Sequence, residues 1–172
     1  MALLLESQES LAAQDAPNPV VSATTKPQET ESRSENPAPD VILPSLEGGQ
    51  VTLSHFKGIK GVALVFFAPW CVGCIQEVPE IKKFAETAQK ENVIVFGIAY
   101  KQPKRNIERF KKTYQIHYGI LLDMDGTVTT QKFGIKGIPH IIGINAKGVI
   151  VYRGTALPDN KNDFILNLRQ GL

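Results

Sequence analysis

Hydrophobic and polar positions divide the chain unevenly. Residues 1–40 carry no sustained apolar pattern, whereas from Val41 onward apolar runs recur at short intervals. Gly61–Ala68 (GVALVFFA) and Val93–Tyr100 (VIVFGIAY) are continuous β-branched and aromatic runs, which predict strands buried on both faces. Val41–Leu46 and Gln50–Leu53 flank Glu47-Gly48-Gly49 and read as a strand pair. Ile120–Leu122 reads as a short strand, and Ile141–Ile144 with Val149–Tyr152 as a hairpin through Asn145–Gly148.

Helical spacing fills the intervals. Cys71–Lys90 sets Ile75, Val78, Ile81, Phe84, Ala85 and Ala88 along one side, with a kink expected at Pro79. Lys104–Tyr114 turns Ile107, Phe110 and Tyr114 inward and Arg105, Glu108, Arg109 and Lys112 outward. A short helix over Val128–Phe133 follows the turn Asp123-Met124-Asp125-Gly126, and Pro158–Arg169 closes the chain as a helix. The order predicts an α/β sheet of mixed direction with helices on both faces.

Composition sharpens the division. Residues 1–40 hold seven acids and two bases, a net of −5, and residues 41–172 carry the remaining +7. All aromatics and all glycines lie beyond residue 46. The expected organisation is therefore a disordered Pro/Ser/Glu-rich tail or tether over 1–40 and a globular domain over 41–172. The opening Met1-Ala2-Leu3-Leu4-Leu5-Glu6 lacks the basic start of a signal peptide and meets Glu6 too early. It reads either as the remnant of a membrane anchor or as the start of a soluble protein, and the long spacer favours the anchored reading. No apolar run approaches the ~20 residues that span a bilayer. A mixed-sign +7 is too mild to argue nucleic-acid binding.

The chemistry concentrates in one place. Both cysteines sit in Trp70-Cys71-Val72-Gly73-Cys74, directly after a buried strand and at the start of a helix. The unpaired N–H groups of a first helical turn favour a thiolate at Cys71, drawing its pKa from ~8.5 toward ~3.5–7.5. Cys74, one turn on, can close a disulfide on it, so one sulfur attacks and the other resolves. Half of a zinc site is the rival reading. It would need two more ligands, and His55, His117 and His140 are not in ligand spacing with one another.

The stretch Phe66-Phe67-Ala68-Pro69-Trp70-Cys71-Val72-Gly73-Cys74 resembles the active-site signature of thioredoxin-like proteins, with Pro79 matching the family's kink proline. Gly137-Ile138-Pro139 is similar to its glycine-x-cis-proline loop. Within the superfamily the likeness is to the TlpA, ResA and cytochrome c maturation branch. Three features carry that likeness: the opening hairpin, a helix–strand insert over about 103–122, and Glu77 three residues after Cys74. The resemblance implies a thioredoxin fold: a mixed β-sheet flanked by helices, with an N-terminal β-hairpin and that insert.

The resemblance also implies a thiol–disulfide oxidoreductase that reduces protein disulfides outside the cytoplasm, periplasmic or membrane-tethered, with apocytochrome c as the sharpest substrate. A cytoplasmic location is the alternative. Cys71 is the expected nucleophile, Cys74 the resolving thiol and Glu77 the proton acceptor. Trp70, Ile138 and Pro139 would meet the substrate. His140, beside the expected cis-proline, either lowers the thiol pKa values or is a solvated loop residue. No metal and no cofactor beyond the redox-active disulfide is expected. The expected partners are protein thiols and disulfides and a redox protein, a membrane electron donor for a reductase; nucleic acid is not among them. The domain is expected to be a monomer that meets the membrane only through an N-terminal anchor.

One departure is notable. Thioredoxin proper carries a buried aspartate six residues before the first cysteine, where this chain has Val65. Two other functions compete. A thiol peroxidase would need Thr or Ser three residues before its reactive cysteine, and that place holds Ala68 or Cys71. A CxxC metal carrier is the second.

Overall fold

The computed structural model describes residues 36–172, so the tail reading for residues 1–35 lies outside the described residues. Strands β1 (Ile42–Pro44) and β2 (Gln50–Thr52) form a small antiparallel pair. The central sheet holds β3 (Gly61–Phe67), β4 (Val93–Tyr100), β5 (Gly119–Asp123), β6 (His140–Ile144) and β7 (Ile150–Gly154) in the order β5-β4-β3-β6-β7. β3, β4 and β5 run parallel, and β6 and β7 are antiparallel additions on the other side. Every residue of β3 is buried, as its unbroken apolar run requires of a central strand.

Helices α1 (Val72–Lys90), α2 (Lys104–Thr113) and α3 (Lys161–Leu168) complete the fold. All three cover one face of the sheet, where Ile81, Phe84, Ile107, Phe110, Phe164 and Leu168 pack on Ala63, Val65 and Phe67. The short helix expected near Val128–Phe133 forms over Val128–Lys132 and lies on the other face, so helices flank the sheet on both sides with the three longer ones together. Two successive right-handed crossovers, β3 to β4 and β4 to β5, step in the same direction and must place α1 and α2 on the same side. The opposite face is covered by the N-terminal hairpin, a 3₁₀ helix at Leu53–Phe56 and the π-helix at Val128–Lys132.

Other differences are local. α1 runs through Pro79 without a break, Pro79 being exposed. α3 begins at Lys161 rather than Pro158, because Asn160 caps it by accepting from the Asp163 N–H at 3.1 Å. The segment just ahead of Val41 belongs to the domain: Ala38 N–H donates to the Gly148 carbonyl at 2.9 Å, and Ile150 N–H to the Asn36 carbonyl at 2.9 Å.

Candidate active site

The C-terminal end of β3 delivers the chain into α1 at the cysteines. Cys71 occupies the N-cap position in extended conformation, and its sulfur accepts from the Cys74 N–H at 3.1 Å. Cys71 and Cys74 form a disulfide with their Cα atoms 5.2 Å apart. The spacing that puts one cysteine at the cap and the next on the first turn makes this ring possible. Both residues are buried, Cys74 at 3% and Cys71 at 7% exposure, so Cys71 is the more accessible of the two. Trp70 and Val72 on either side stand out at 63% and 69% exposure, an apolar rim around the sulfurs.

The second half of the site comes from the start of β6. Phe66 pairs with His140, so the loop ahead of β6 lies beside the turn that follows β3. The Ile138–Pro139 peptide is cis, and the Pro139 ring lies 3.4 Å from the point where a side chain on Gly73 would begin. Trp70, Cys71, Cys74, Ile138 and Pro139 are therefore gathered at one end of the sheet.

Glu77 is half-buried on the next turn of α1. It lines, with Cys74, Val65, Tyr118 and Pro139, a cavity of about 10 Å³, the size that holds a single water. Its charge, after burial and the Asp159 carboxylate, helps push the Tyr152 hydroxyl above its ordinary range. Val65, Phe67, Phe110 and Tyr118 form the apolar wall of this cavity. Burial pushes the Tyr118 hydroxyl well above its usual value. Val65 is the place where thioredoxin has an acid, Phe67 lies in the signature stretch and Phe110 is on the inward side of its helix, whereas nothing in the sequence singles out Tyr118.

His140 is not brought to the sulfurs. Side chains alternate along a strand, and His140 shares the face of Ile142 and Ile144, opposite the face on which Cys74 packs. It stands beside Arg153, and burial first, then the Arg153 charge, hold its pKa below the usual histidine value. Lowering of the thiol pKa by His140 is accordingly set aside. Arg153 donates to the Phe133 carbonyl at 3.0 Å and, with Lys136, was not anticipated as part of this end of the molecule. Among the described residues no three His, Cys, Asp or Glu side chains converge as a metal-binding group.

A family model, AhpC/TSA, matches residues 35–153. The chain belongs to the AhpC/TSA family. Its curated relatives include the thiol-disulfide oxidoreductase ResA of Geobacillus thermodenitrificans, 30% identical over 66% of this chain and 64% of that one. ResA of Bacillus subtilis is 28% identical over 78% of this chain and 75% of its own length. The chain thus spans about two thirds of these relatives, which are of the ResA type expected. Among solved structures, a thiol:disulfide interchange protein of the thioredoxin family from Chlorobium tepidum superposes with a TM-score of 0.63. It is 26% identical and covers 80% of this chain and 96% of that one. The fold is the thioredoxin fold, with the hairpin and the α2–β5 insert read from the sequence.

Proposed function

We propose that this domain is a thiol–disulfide oxidoreductase that reduces protein disulfides through Cys71 and Cys74. The observation that carries the reading is the Cys71–Cys74 disulfide at the N-terminus of α1, beneath cis-Pro139. In the reduced enzyme the Cys71 thiolate, favoured by the first-turn N–H groups, attacks one sulfur of a substrate disulfide. The substrate S–S bond breaks, a Cys71–substrate bond forms and one substrate thiolate leaves. Glu77 accepts the Cys74 proton, and Cys74 attacks the Cys71 sulfur, releasing the second substrate thiolate and closing the disulfide. Two electrons pass to the substrate.

Ile138 and Pro139 position the substrate chain, and Trp70 with Val72 forms the apolar surface it meets. No dissociable cofactor enters this scheme, because the sulfur pair carries the electrons. A redox protein must return two electrons and two protons, and a membrane-embedded donor suits an extracytoplasmic, tethered domain. Apocytochrome c is the substrate that the ResA likeness suggests. The peroxidase alternative is disfavoured by Ala68, which offers no hydroxyl three residues before Cys71.

The test is Cys74→Ser. Incubated reduced with a disulfide-bonded protein, this variant should accumulate a mixed disulfide at Cys71, seen by intact mass; the absence of any adduct overturns the reading. Equilibration in glutathione buffers gives the direction: a potential near the ~−270 mV of thioredoxin indicates a reductant, and one near ~−120 mV a disulfide donor.

A further inference from the structure

Beside Pro139, on the sheet face away from the helices, an open groove of about 520 Å³ runs between the loop that leads into β6 and the edge strand β7. Its volume falls within the ~300–1,000 Å³ typical of ligand clefts. Ile138 and Pro139 form one end of it, and the Pro139 ring also lies against Gly73 of the CxxC turn, so the groove begins beside the sulfur site. Buried Ile135 contributes an apolar wall, and Lys136, His140 and Arg153 supply the polar one.

The electrostatics of the groove have one sign. Neither Lys136 nor Arg153 is in an ion pair among the described residues, whose four pairs lie elsewhere. Arg153 spends one N–H on the Phe133 carbonyl at 3.0 Å, which fixes the guanidinium and leaves its other donors for a ligand. A fixed guanidinium fork matches a carboxylate in two-point geometry, and an ammonium beside it adds charge without demanding direction. The neighbouring imidazole offers a further hydrogen-bonding group of a kind a backbone or carboxyl can meet. Among the described residues no acidic side chain lines the groove.

We propose that Lys136 and Arg153 form a specificity groove for an acidic segment flanking the substrate's cysteine, so that disulfides bordered by Asp or Glu are the preferred substrates. This rests on the oxidoreductase reading for its catalytic consequence, but the binding itself does not. A chain laid across Ile138 with its cysteine toward Cys71 continues into the groove on one side only. The residues on that side would be the ones selected.

The test uses the isotope-labelled full chain and a short disulfide-closed peptide with two glutamates beside one cysteine. The control is the same peptide with glutamines. In titrations followed by amide shifts, the acidic peptide should bind about fivefold more tightly at low salt, with the largest shifts at Gly134–His140 and Arg153. Lys136→Gln and Arg153→Gln should each reduce that preference, and Arg153→Glu should invert it. Arg109→Gln, which removes the same charge from α2, should retain it.

Lys136 is exposed and makes no side-chain hydrogen bond among the described residues, so its variant will report even if changing Arg153 disturbs folding. Equal affinity for the two peptides, or shifts centred on α2, overturns the proposal. The reduced enzyme should also cleave the acidic peptide about fivefold faster than the neutral one. Reduction of neutral hydroxyethyl disulfide reports separately on the sulfur chemistry: if that fails while the acidic peptide still binds selectively, the oxidoreductase reading falls and the groove stands.

Discussion

Asp123 is buried at 1% exposure at the C-terminal end of β5 and makes three contacts with the π turn that follows. Its Oδ1 accepts from the Val128 N–H at 3.2 Å, and its Oδ2 from the Thr129 N–H at 2.8 Å and the Thr129 hydroxyl at 2.6 Å. Replacing it with Ala leaves the Thr129 N–H and hydroxyl without partners in a buried place and the Val128 N–H without one in a half-buried place. Each such orphan costs about 1–3 kcal/mol, but removing the carboxylate also recovers its desolvation, so the net loss should be about 3 kcal/mol. Asp123→Asn keeps the shape but turns an NH₂ toward one donor, for about 1–2 kcal/mol. Thr129→Val removes only the hydroxyl bond and should cost about 1 kcal/mol. Urea unfolding followed by far-UV circular dichroism measures all three. Hydrogen exchange should show the Phe133–Gly137 amides losing protection first in Asp123→Asn, since the turn leads directly into that loop. A loss below 1 kcal/mol for Asp123→Ala, or one no larger than for Thr129→Val, would refute the assignment of Asp123 as the anchor.

Two further outcomes are expected. Trp70→Ala should leave stability within about 0.5 kcal/mol, because the indole is 63% exposed, yet slow the reduction of a protein disulfide more than that of hydroxyethyl disulfide. Parallel rate measurements on the two substrates check this, and equal slowing would count against a substrate-contacting role. Asp40 has its pKa lowered below 3.8 by hydrogen bonds from the Ser54 hydroxyl and N–H. A carboxyl with a depressed folded-state pKa contributes stability that is present above the unfolded value and lost as pH falls through the folded one. The stability gap between the wild type and Asp40→Asn should therefore be small but constant at neutral pH and close below about pH 4, as read from urea midpoints. A gap that persists at pH 2 would assign the effect to something other than this carboxylate.

The parts of the fold that were legible in the sequence are those where burial leaves an unbroken apolar run or where special residues sit at fixed spacing. GVALVFFA and VIVFGIAY could only be interior strands, and the CxxC between strand and helix announced the site. His140 was not legible. It opens a strand, His140-Ile141-Ile142-Gly143-Ile144, that is buried on both faces, so no polar alternation reveals which way the imidazole turns. Asn36–Ala38 read as part of the tail over 1–40 because they join the domain through backbone hydrogen bonds, which composition does not register. Arg153 lies at an exposed position of an edge strand, where nothing in the local sequence distinguishes it from ordinary surface. Its significance depends on a loop that precedes it by about fifteen residues and meets it only in the folded chain.

The two halves of the site are held by different forces. The cysteine half hangs from β3, which hydrogen-bonds to β4 in parallel and to β6 in antiparallel register and is buried throughout. Slipping β6 by one residue would exchange the faces of Ile141 and Ile142 and turn the half-buried imidazole of His140 toward the helices, at the cost of the core itself. The Phe66–His140 register, and with it the approach of Pro139 to Gly73, is therefore as secure as global folding. The 124–139 segment between β5 and β6 has a different footing. Phe133 packs edge-on against Phe66 at 5.4 Å between ring centres and Ile135 is buried beside it, while the rest of the segment is tied by Asp123 at one end and the Arg153–Phe133 bond at the other. Polar ties of this kind contribute about 1–3 kcal/mol each, well below the energy of opening the sheet. Local opening of the substrate-side loop should thus precede any disturbance of the cysteines. That ordering suits a site whose sulfur geometry must stay fixed while the groove beside it admits different partner chains.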